Sequence, residues 1–250
     1  MKFKNKIFFI TGGAIGIGRS TSLKIANLGG TVVISDINKE KGLELVNDIL
    51  AQGLKADFFQ LDVSKSGDVE KVISKVVNIH GRIDFAINNA GISGRIASLH
   101  ELTQEDWNKI IGVNLSGVFY CLKEEIKVML NQGGGGIVNV ASLAGLQGMG
   151  GGSVYSASKH GVVSLSKTAA IEYGKHNIRV NSVCPSFIET DILNSIPESI
   201  LDFSTKHRVP MKRLGQPDEV AESIVWLLND KSSYVNGHSL VIDGGMYAGG

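Results

Sequence analysis

Tyr155 and Lys159 stand four residues apart in the stretch SVYSASKHG, among Ser153, Ser156 and Ser158. Four residues is close to one helical turn, so a helix would project the phenol and the ammonium from one face. A free phenol has a pKa of about 10, and a nearby ammonium favours the phenolate, so the pairing is expected to lower that value toward working pH. Such a phenol can give up or take a proton. Ser142, at the end of the run GGIVNVAS, offers a hydroxyl that could steady charge forming on an oxygen beside the phenol. Each feature has a plainer reading: an amphipathic surface pair for the first, a strand-end hydroxyl for the second.

A second cluster points to a ligand for that chemistry. TGGAIGIG at 11–18 spaces Gly12, Gly16 and Gly18 as GxxxGxG, between an apolar run and a helical one. Glycines there let the backbone turn tightly and approach a pyrophosphate, whose charge free amides at a helix N-terminus would meet. The spacing is not the usual GxGxxG, and a glycine-rich turn with no ligand is the alternative. Asp36 ends TVVISD at the distance where a carboxylate can accept hydrogen bonds from an adenosine ribose. It would repel a 2'-phosphate, and Ile15 and Ile37 supply no cation to receive one, so NAD is expected rather than NADP. A helix N-cap ahead of Asn38 is the other reading of Asp36.

These residues need a scaffold, and the chain alternates two kinds of segment. Short apolar runs, KIFFIT, TVVISD, KADFFQLD, IDFAINNA, GGIVNVAS, IRVNSVCP and SLVID, read as strands. Between them, residues 16–29, 38–52, 65–80, 103–131, 152–174 and 217–228 carry helical periodicity. Thr103 with Asp106 forms a capping-box variant, and Pro217 with Asp218 and Glu219 suits a first turn. Strict alternation predicts an α/β fold with a parallel sheet covered on both faces. No linker, repeat or shift in composition divides the 250 residues, so one domain spanning 1–250 is expected.

Composition narrows the partners. The 25 Lys and Arg balance 24 Asp and Glu without a basic block, so no nucleic-acid partner is expected. No apolar run approaches the ~18 residues of a membrane span. The opening MKFKNKIFFI leads into the glycine turn with no cleavage site, and reads as a strand rather than a secretion signal. Cys121 and Cys184, the only cysteines, and six histidines without HxxH spacing suggest neither a disulfide framework nor a metal. A reducing cytoplasm fits. Cys184 reads as a core thiol, and His160 as a packing residue on another face from Lys159.

TGGAIGIG, NNAG at 88–91, Asn114 in VNLSG, Ser142 in VASLAG and YSASK at 155–159 together resemble the classical short-chain dehydrogenase/reductase family, in its order and over essentially the whole chain. The resemblance implies a single Rossmann-like doubly wound domain with a seven-stranded parallel sheet flanked by helices, a nicotinamide dinucleotide and commonly a homotetramer. It implies cofactor contacts from Gly12, Gly16, Ile17, Gly18, Asp36, Asp62, Val63, Asn89, Gly91, Ile188 and Thr190, together with Tyr155 and Lys159. Tyr155 would act as acid in ketone reduction and base in alcohol oxidation, with Ser142 beside it. Lys159 would tune the phenol and hold the nicotinamide ribose, and Asn114 would hold a water that relays the proton. One departure stands out: the family's Pro-Gly after the sixth strand is here Pro185-Ser186.

By the same resemblance, Leu143, Leu146, Met149, Val154, Ile192, Leu193 and Ile196 would line a substrate pocket suited to a small or medium apolar or cyclic secondary alcohol. Arg95 is the nearest cation for a carboxylate, though a solvated loop arginine is its plainer reading. A 3-oxoacyl thioester reductase shares these motifs and is the alternative enzyme; it would usually prefer NADPH, which Asp36 opposes. A dinucleotide sensor without chemistry is the alternative of another class, and the intact Ser142, Tyr155 and Lys159 set speaks against it.

Overall fold

Side chains that alternate between two buried faces show how the apolar runs become strands covered on both sides. In β1 (Ile7–Thr11), Phe8 and Ile10 enter the core on one face of the sheet, while Ile7 and Phe9 enter the core on the other. That is the two-residue period of a strand. In β2 (Thr31–Asp36), Val32 and Ile34 likewise separate from Val33. The structure, a computed structural model, describes residues 3–196 and 198–249.

The remaining strands are β3 (Lys55–Gln60), β4 (Phe85–Asn88), β5 (Gly135–Val140), β6 (Ile178–Pro185) and β7 (Ser239–Ile242). All seven pair in parallel in the order β3-β2-β1-β4-β5-β6-β7, the Rossmann-like sheet that the resemblance implied. On one face lie α1 (Gly16–Asn27), α2 (Lys39–Ala51) and α8 (Pro217–Leu227), anchored by Ile25, Leu45, Ile49 and Ile224. The other face holds α3 (Ser66–His80), α5 (Gly117–Gln132) and α6 (Ser153–Tyr173), through Val69, Ile73, Cys121 and Val162. Fully burying one such side chain contributes about 1.5–3 kcal/mol, which is why so many aliphatic positions define the sheet. Strand order reverses between β1 and β4, and open α/β sheets bind ligands at the carboxyl ends beside such a switch.

Three expectations are corrected. The helix predicted over 103–131 is α4 (Gln104–Ile111) and α5, joined by a π-turn at Gly112–Ser116 in which the Gly117 amide donates to the Gly112 carbonyl. Helical periodicity runs unbroken through it, because one inserted residue alters the hydrogen-bond ladder and not the apolar pattern. A further helix, α7 (Glu198–His207), carries an acidic first turn and a basic last one and had no counterpart among the predicted segments. Strands β3, β4 and β5 stop at Gln60, Asn88 and Val140, short of the apolar runs, since the last residues of each run turn out of the ladder into the ligand edge.

Candidate active site

The glycine turn is built by close approach. Gly12 and Gly16 adopt φ of 59° and 52°, a left-handed conformation that costs glycine little. A Cβ on Gly12 would sit 2.8 Å from the Cα of Ala90, and one on Gly18 would run into the Gly12 carbonyl oxygen. Asn89 stitches this turn to β4: its amide nitrogen Nδ2 donates to the Gly12 and Thr11 carbonyls at 2.7 and 3.2 Å. Its backbone N–H donates to the Thr11 hydroxyl at 3.1 Å. Thr11 was not singled out from sequence; a threonine ending an apolar strand carries no signal of its own.

Asp36 closes the turn from the other side. Its carboxylate is 8% exposed and accepts from the Ala14 and Asn38 backbone amides at 3.1 and 2.9 Å. Asn38 itself caps α2, accepting from Lys41, so the N-cap role falls to Asn38. Asp62 lies beyond, where hydrogen bonds from Ser64 hold its carboxyl below the usual range. Gly12, Gly16, Ile17, Asp36, Asp62, Val63, Asn89, Gly91, Ile188 and Thr190 line one cleft of about 490 Å³ with Ser142, Tyr155 and Lys159. Gly18 supports the turn from behind, and Asn114 does not reach the cleft wall.

At the inner end, Ser142 caps a short turn, accepting from the Ala144 amide at 3.2 Å, and its hydroxyl lies beside the Tyr155 phenol. Tyr155 projects from the first turn of α6, and the Lys159 Nζ lies 5.7 Å from its ring centre. Burial pushes the phenol above its ordinary value, opposed by the Ser142 hydroxyl, so the lowering predicted from Lys159 is reversed here. The physical reason is that desolvation penalises phenolate. The ammonium is itself 4% exposed and donates to the Val140 carbonyl at 2.8 Å. Burial lowers its pKa to about 8.

Asn114, fully buried in the π-turn, spends its side-chain amide on the backbone of Ile92: Oδ1 accepts from the Ile92 N–H and Nδ2 donates to its carbonyl, both at 2.8 Å. It fixes the loop after β4. Ile188 is buried and bridges to Gly215, and the Thr190 hydroxyl donates back to the Ile188 carbonyl at 3.3 Å. Ser186 lines the cleft with its backbone N–H on the Ile242 carbonyl at 3.1 Å.

The substrate-lining expectation holds only in part. Ile192 is on the cleft wall, joined by Ser93 from the loop after β4 and by Asp191 beside it. Leu143 and Val154 are instead buried, Met149 faces outward, and neither they nor Leu146, Leu193 and Ile196 line the cleft. Arg95 donates to the Glu101 carbonyl and lies 4.0 Å from Asp106, which matches a loop role. His160 is exposed rather than packed, its Nδ1 2.9 Å from the Ser156 carbonyl. Cys184 is a buried core thiol, as expected, pushed up to about 11 by desolvation.

Comparison with known proteins gives this geometry a context. Residues 12–247 match the protein-family model described as enoyl-(acyl carrier protein) reductase. The chain is 43% identical to the cyclohexanol dehydrogenase of Acinetobacter sp. (strain SE19), over 97% of this chain and 95% of that one. It is 44% identical to a 3-oxoacyl-[acyl-carrier-protein] reductase of Thermotoga maritima, over 98% and 99%. The crystal structure of levodione reductase superposes with a TM-score of 0.96 at 35% identity, each chain covered in full. An ordered set of motifs, a parallel sheet in this order and full-length similarity to such reductases and dehydrogenases agree: the chain belongs to the classical short-chain dehydrogenase/reductase family, enzymes that act on CH–OH and keto groups with a nicotinamide dinucleotide.

Proposed function

We propose that the chain interconverts a neutral secondary alcohol and its ketone with NAD, as one catalytic domain over residues 1–250. The observation that carries this reading is the meeting of the Ser142 hydroxyl, the Tyr155 phenol and the Lys159 ammonium at the inner end of the cleft that Asp36 and the glycine turn close. The residues fit a dinucleotide, since Cβ atoms at Gly12 or Gly18 would collide with Ala90, Asn89 and the turn's own backbone, so glycine keeps the turn tight enough for its backbone to meet a pyrophosphate. Gly12, Gly16, Ile17 and Gly18 would hold that part, Asp36, Asp62 and Val63 the adenosine, and Asn89, Gly91, Tyr155, Lys159, Ile188 and Thr190 the nicotinamide half. When bound, the dinucleotide supplies the hydride acceptor or donor.

The protein's own residues handle the proton. In oxidation Tyr155 takes the hydroxyl proton of the alcohol; in reduction it returns one to the forming alkoxide. Ser142 holds the same oxygen by hydrogen bonding as its charge changes. Lys159, kept in place by the Val140 carbonyl, stabilises the phenolate and holds an exchangeable proton with a pKa of about 8. Asn114 fixes Ile92, and with it the loop that borders the reacting centre.

Selectivity follows from charge. The charged cleft-lining groups are Asp36, Asp62, Lys159 and Asp191, so beside Ile192 the substrate end offers a carboxylate and no cation of its own. That favours a neutral alcohol, and the similarity to a cyclohexanol dehydrogenase supports a small or medium cyclic one. A second reading, reduction of 3-oxoacyl thioesters, draws on the similarity to the Thermotoga maritima reductase. Asp36 opposes the 2'-phosphate of NADPH and so weighs against it. A dinucleotide sensor is disfavoured by the complete Ser142, Tyr155 and Lys159 set. The exposed Trp107, Phe119 and Ile171, the last 84% exposed, support a homotetramer through α4, α5 and α6. No helix among the described residues is long and apolar enough to cross a membrane, and we place the enzyme in the cytoplasm.

The test is nicotinamide absorbance with NAD and NADP in parallel, on cyclic, aliphatic and aromatic secondary alcohols, sugars and 3-oxoacyl thioesters. Turnover of alcohols with NAD is expected. Asp36→Ala should raise the apparent KM for NAD and relax discrimination against NADP by roughly tenfold, about 1.4 kcal/mol of lost selectivity. Activity confined to thioesters with NADPH would establish the second reading.

A further inference from the structure

Beneath the site lies a buried polar chain that the mechanism does not use. The Ser166 hydroxyl on α6 donates to the Val162 carbonyl at 2.7 Å, so it must accept from Asn139 Nδ2 at 2.8 Å. That orients Asn139 Oδ1 toward Asn88, whose Nδ2 donates to it at 2.9 Å. The second proton of the same Nδ2 goes to Glu125 Oε2 on α5, also at 2.9 Å. The other donors of the chain thus run toward α6, and Glu125 receives a single N–H, from Asn88. Its other oxygen, Oε1, and the Asn88 Oδ1 have no hydrogen-bond partner. A fully buried carboxylate with a single neutral hydrogen bond would be a poorly compensated charge. One proton on Glu125 removes that charge and supplies a donor that the cluster lacks.

We propose that Glu125 is held as a neutral carboxylic acid and serves as a positioning residue for the active site, tying the ends of β4 and β5 to α5 and α6. Each link ends one residue from the chemistry. Asn88 precedes Asn89, which holds the Gly12 carbonyl, and Asn139 precedes Val140, whose carbonyl holds Lys159. Loss of the Glu125 proton puts an ion beneath both, and the strand ends shift with it.

The surroundings fit. Burial raises the Glu125 pKa to about 8, with the Asn88 hydrogen bond opposing, and no charged group contributes. Cys121, one turn earlier on α5, is the titratable neighbour, and its own pKa is driven up by burial and by Glu125. From β4, β5 and α6 the facing groups are Asn88, Asn139 and Ser166, which do not titrate, and α3 turns Val69, Val72, Ile73 and Val76 inward.

Glu125→Gln keeps the acceptor and a donor in the same shape but cannot ionise. A carboxyl pKa raised in the fold gives stability that is complete below the unfolded value and is lost as pH rises through the folded one. Between about pH 5.5 and about pH 8.5 the wild-type melting temperature should therefore fall by about 5 °C or more relative to Glu125→Gln. In parallel, infrared spectra of wild type carrying ¹³C-labelled glutamate should show the carbonyl stretch of a protonated acid at neutral pH. That band should vanish above about pH 8 and be missing from Glu125→Gln. Melting curves that stay parallel across this range, or a wild-type spectrum with carboxylate alone at neutral pH, would overturn the proposal. Should Glu125→Gln not fold, the wild-type infrared titration decides. Only the consequence for turnover rests on the proposed function, so an inactive substrate panel and an ionised Glu125 are distinguishable failures.

Discussion

The two ends of the cleft are made in different ways. At the glycine turn, fit is steric: at Gly12 and Gly18 a side chain would collide, Gly16 is held in a left-handed conformation, and Asn89, Thr11 and Asp36 fasten the turn with neutral or backbone hydrogen bonds. At the Tyr155 end, fit is electrostatic: a half-buried phenol and, with it, a buried ammonium and a buried carboxyl below carry shifted proton affinities. The first end should respond to volume and be indifferent to pH. The second should respond to pH and tolerate changes of shape that preserve its hydrogen bonds.

The largest effect is expected where the comparison is sharpest. Tyr155→Phe removes only an oxygen, leaving volume and burial nearly unchanged, yet turnover should fall by about 10²–10⁴ with little change in NAD affinity. Titration of NAD binding by protein fluorescence, beside the steady-state rate, separates the two. A variant that keeps a tenth of its rate would show that the phenol is not the proton carrier.

The steric end is tested by one methyl group. Gly18→Ala places a Cβ against the Gly12 carbonyl oxygen, Gly13 and the Asn89 amide, whereas Gly67, at the start of α3, has nothing within 4 Å of its Cβ position. Gly18→Ala should weaken NAD binding by about tenfold or more, a loss of about 1.4 kcal/mol, at every pH. Gly67→Ala should bind NAD normally and gain stability of about 0.5–1 kcal/mol from helix propensity. Equal affinities in the two variants would mean that the turn has room to relax.

Acidity sharpens the other end. Lys159 titrates at about 8 in the fold and its charged form is the one that supports phenolate. Ketone reduction should therefore fall as pH rises through that value, with a steeper than one-proton slope in wild type and a one-proton slope in Glu125→Gln. Stability has the opposite sign for this lysine: with its folded pKa below the unfolded value of 10.5, the unfolded chain holds more protons between about 8 and 10.5, and stability rises with pH there. Rate profiles and melting curves on Lys159→Met, which keeps the chain length without the charge, should lose both features.

The same contrast separates what is legible in the sequence from what is not. The glycine turn, Asp36 and the Tyr155–Lys159 pair were legible because each depends on residue type at fixed spacing. The parallel sheet followed from alternating runs, and every strand was found within a few residues. The π-turn at Gly112–Ser116 was not legible, because it changes a backbone ladder under an unaltered apolar pattern. The raised phenol pKa and the neutral Glu125 depend on burial and on which amides face inward. Both are long-range facts: Asn88 and Glu125 are 37 residues apart, and Asn139 and Ser166 are 27. The lining of the cleft's substrate end was least legible of all, since Leu143 and Val154 look like pocket residues by type and are buried by context.

The smallest effect belongs to Ser186, which lies between the two ends and tests whether they are joined. Its peptide is held on both sides: the Pro185 carbonyl accepts from the Ser142 hydroxyl at 3.5 Å, and the Ser186 N–H donates to Ile242. Ser186 does not adopt the left-handed φ that would call for glycine, and its side chain stands half-buried in the cleft wall. Ser186→Gly removes a hydroxymethyl and frees the unfolded chain, which should cost about 0.4–1 kcal/mol of stability. If the wall only borders the substrate, KM for the alcohol changes by roughly two- to threefold, under about 0.7 kcal/mol, while kcat and NAD affinity hold. A fall in kcat of tenfold or more would instead mean that this peptide transmits the position of Ser142 to the reacting oxygen, and that the steric and electrostatic ends act as one unit.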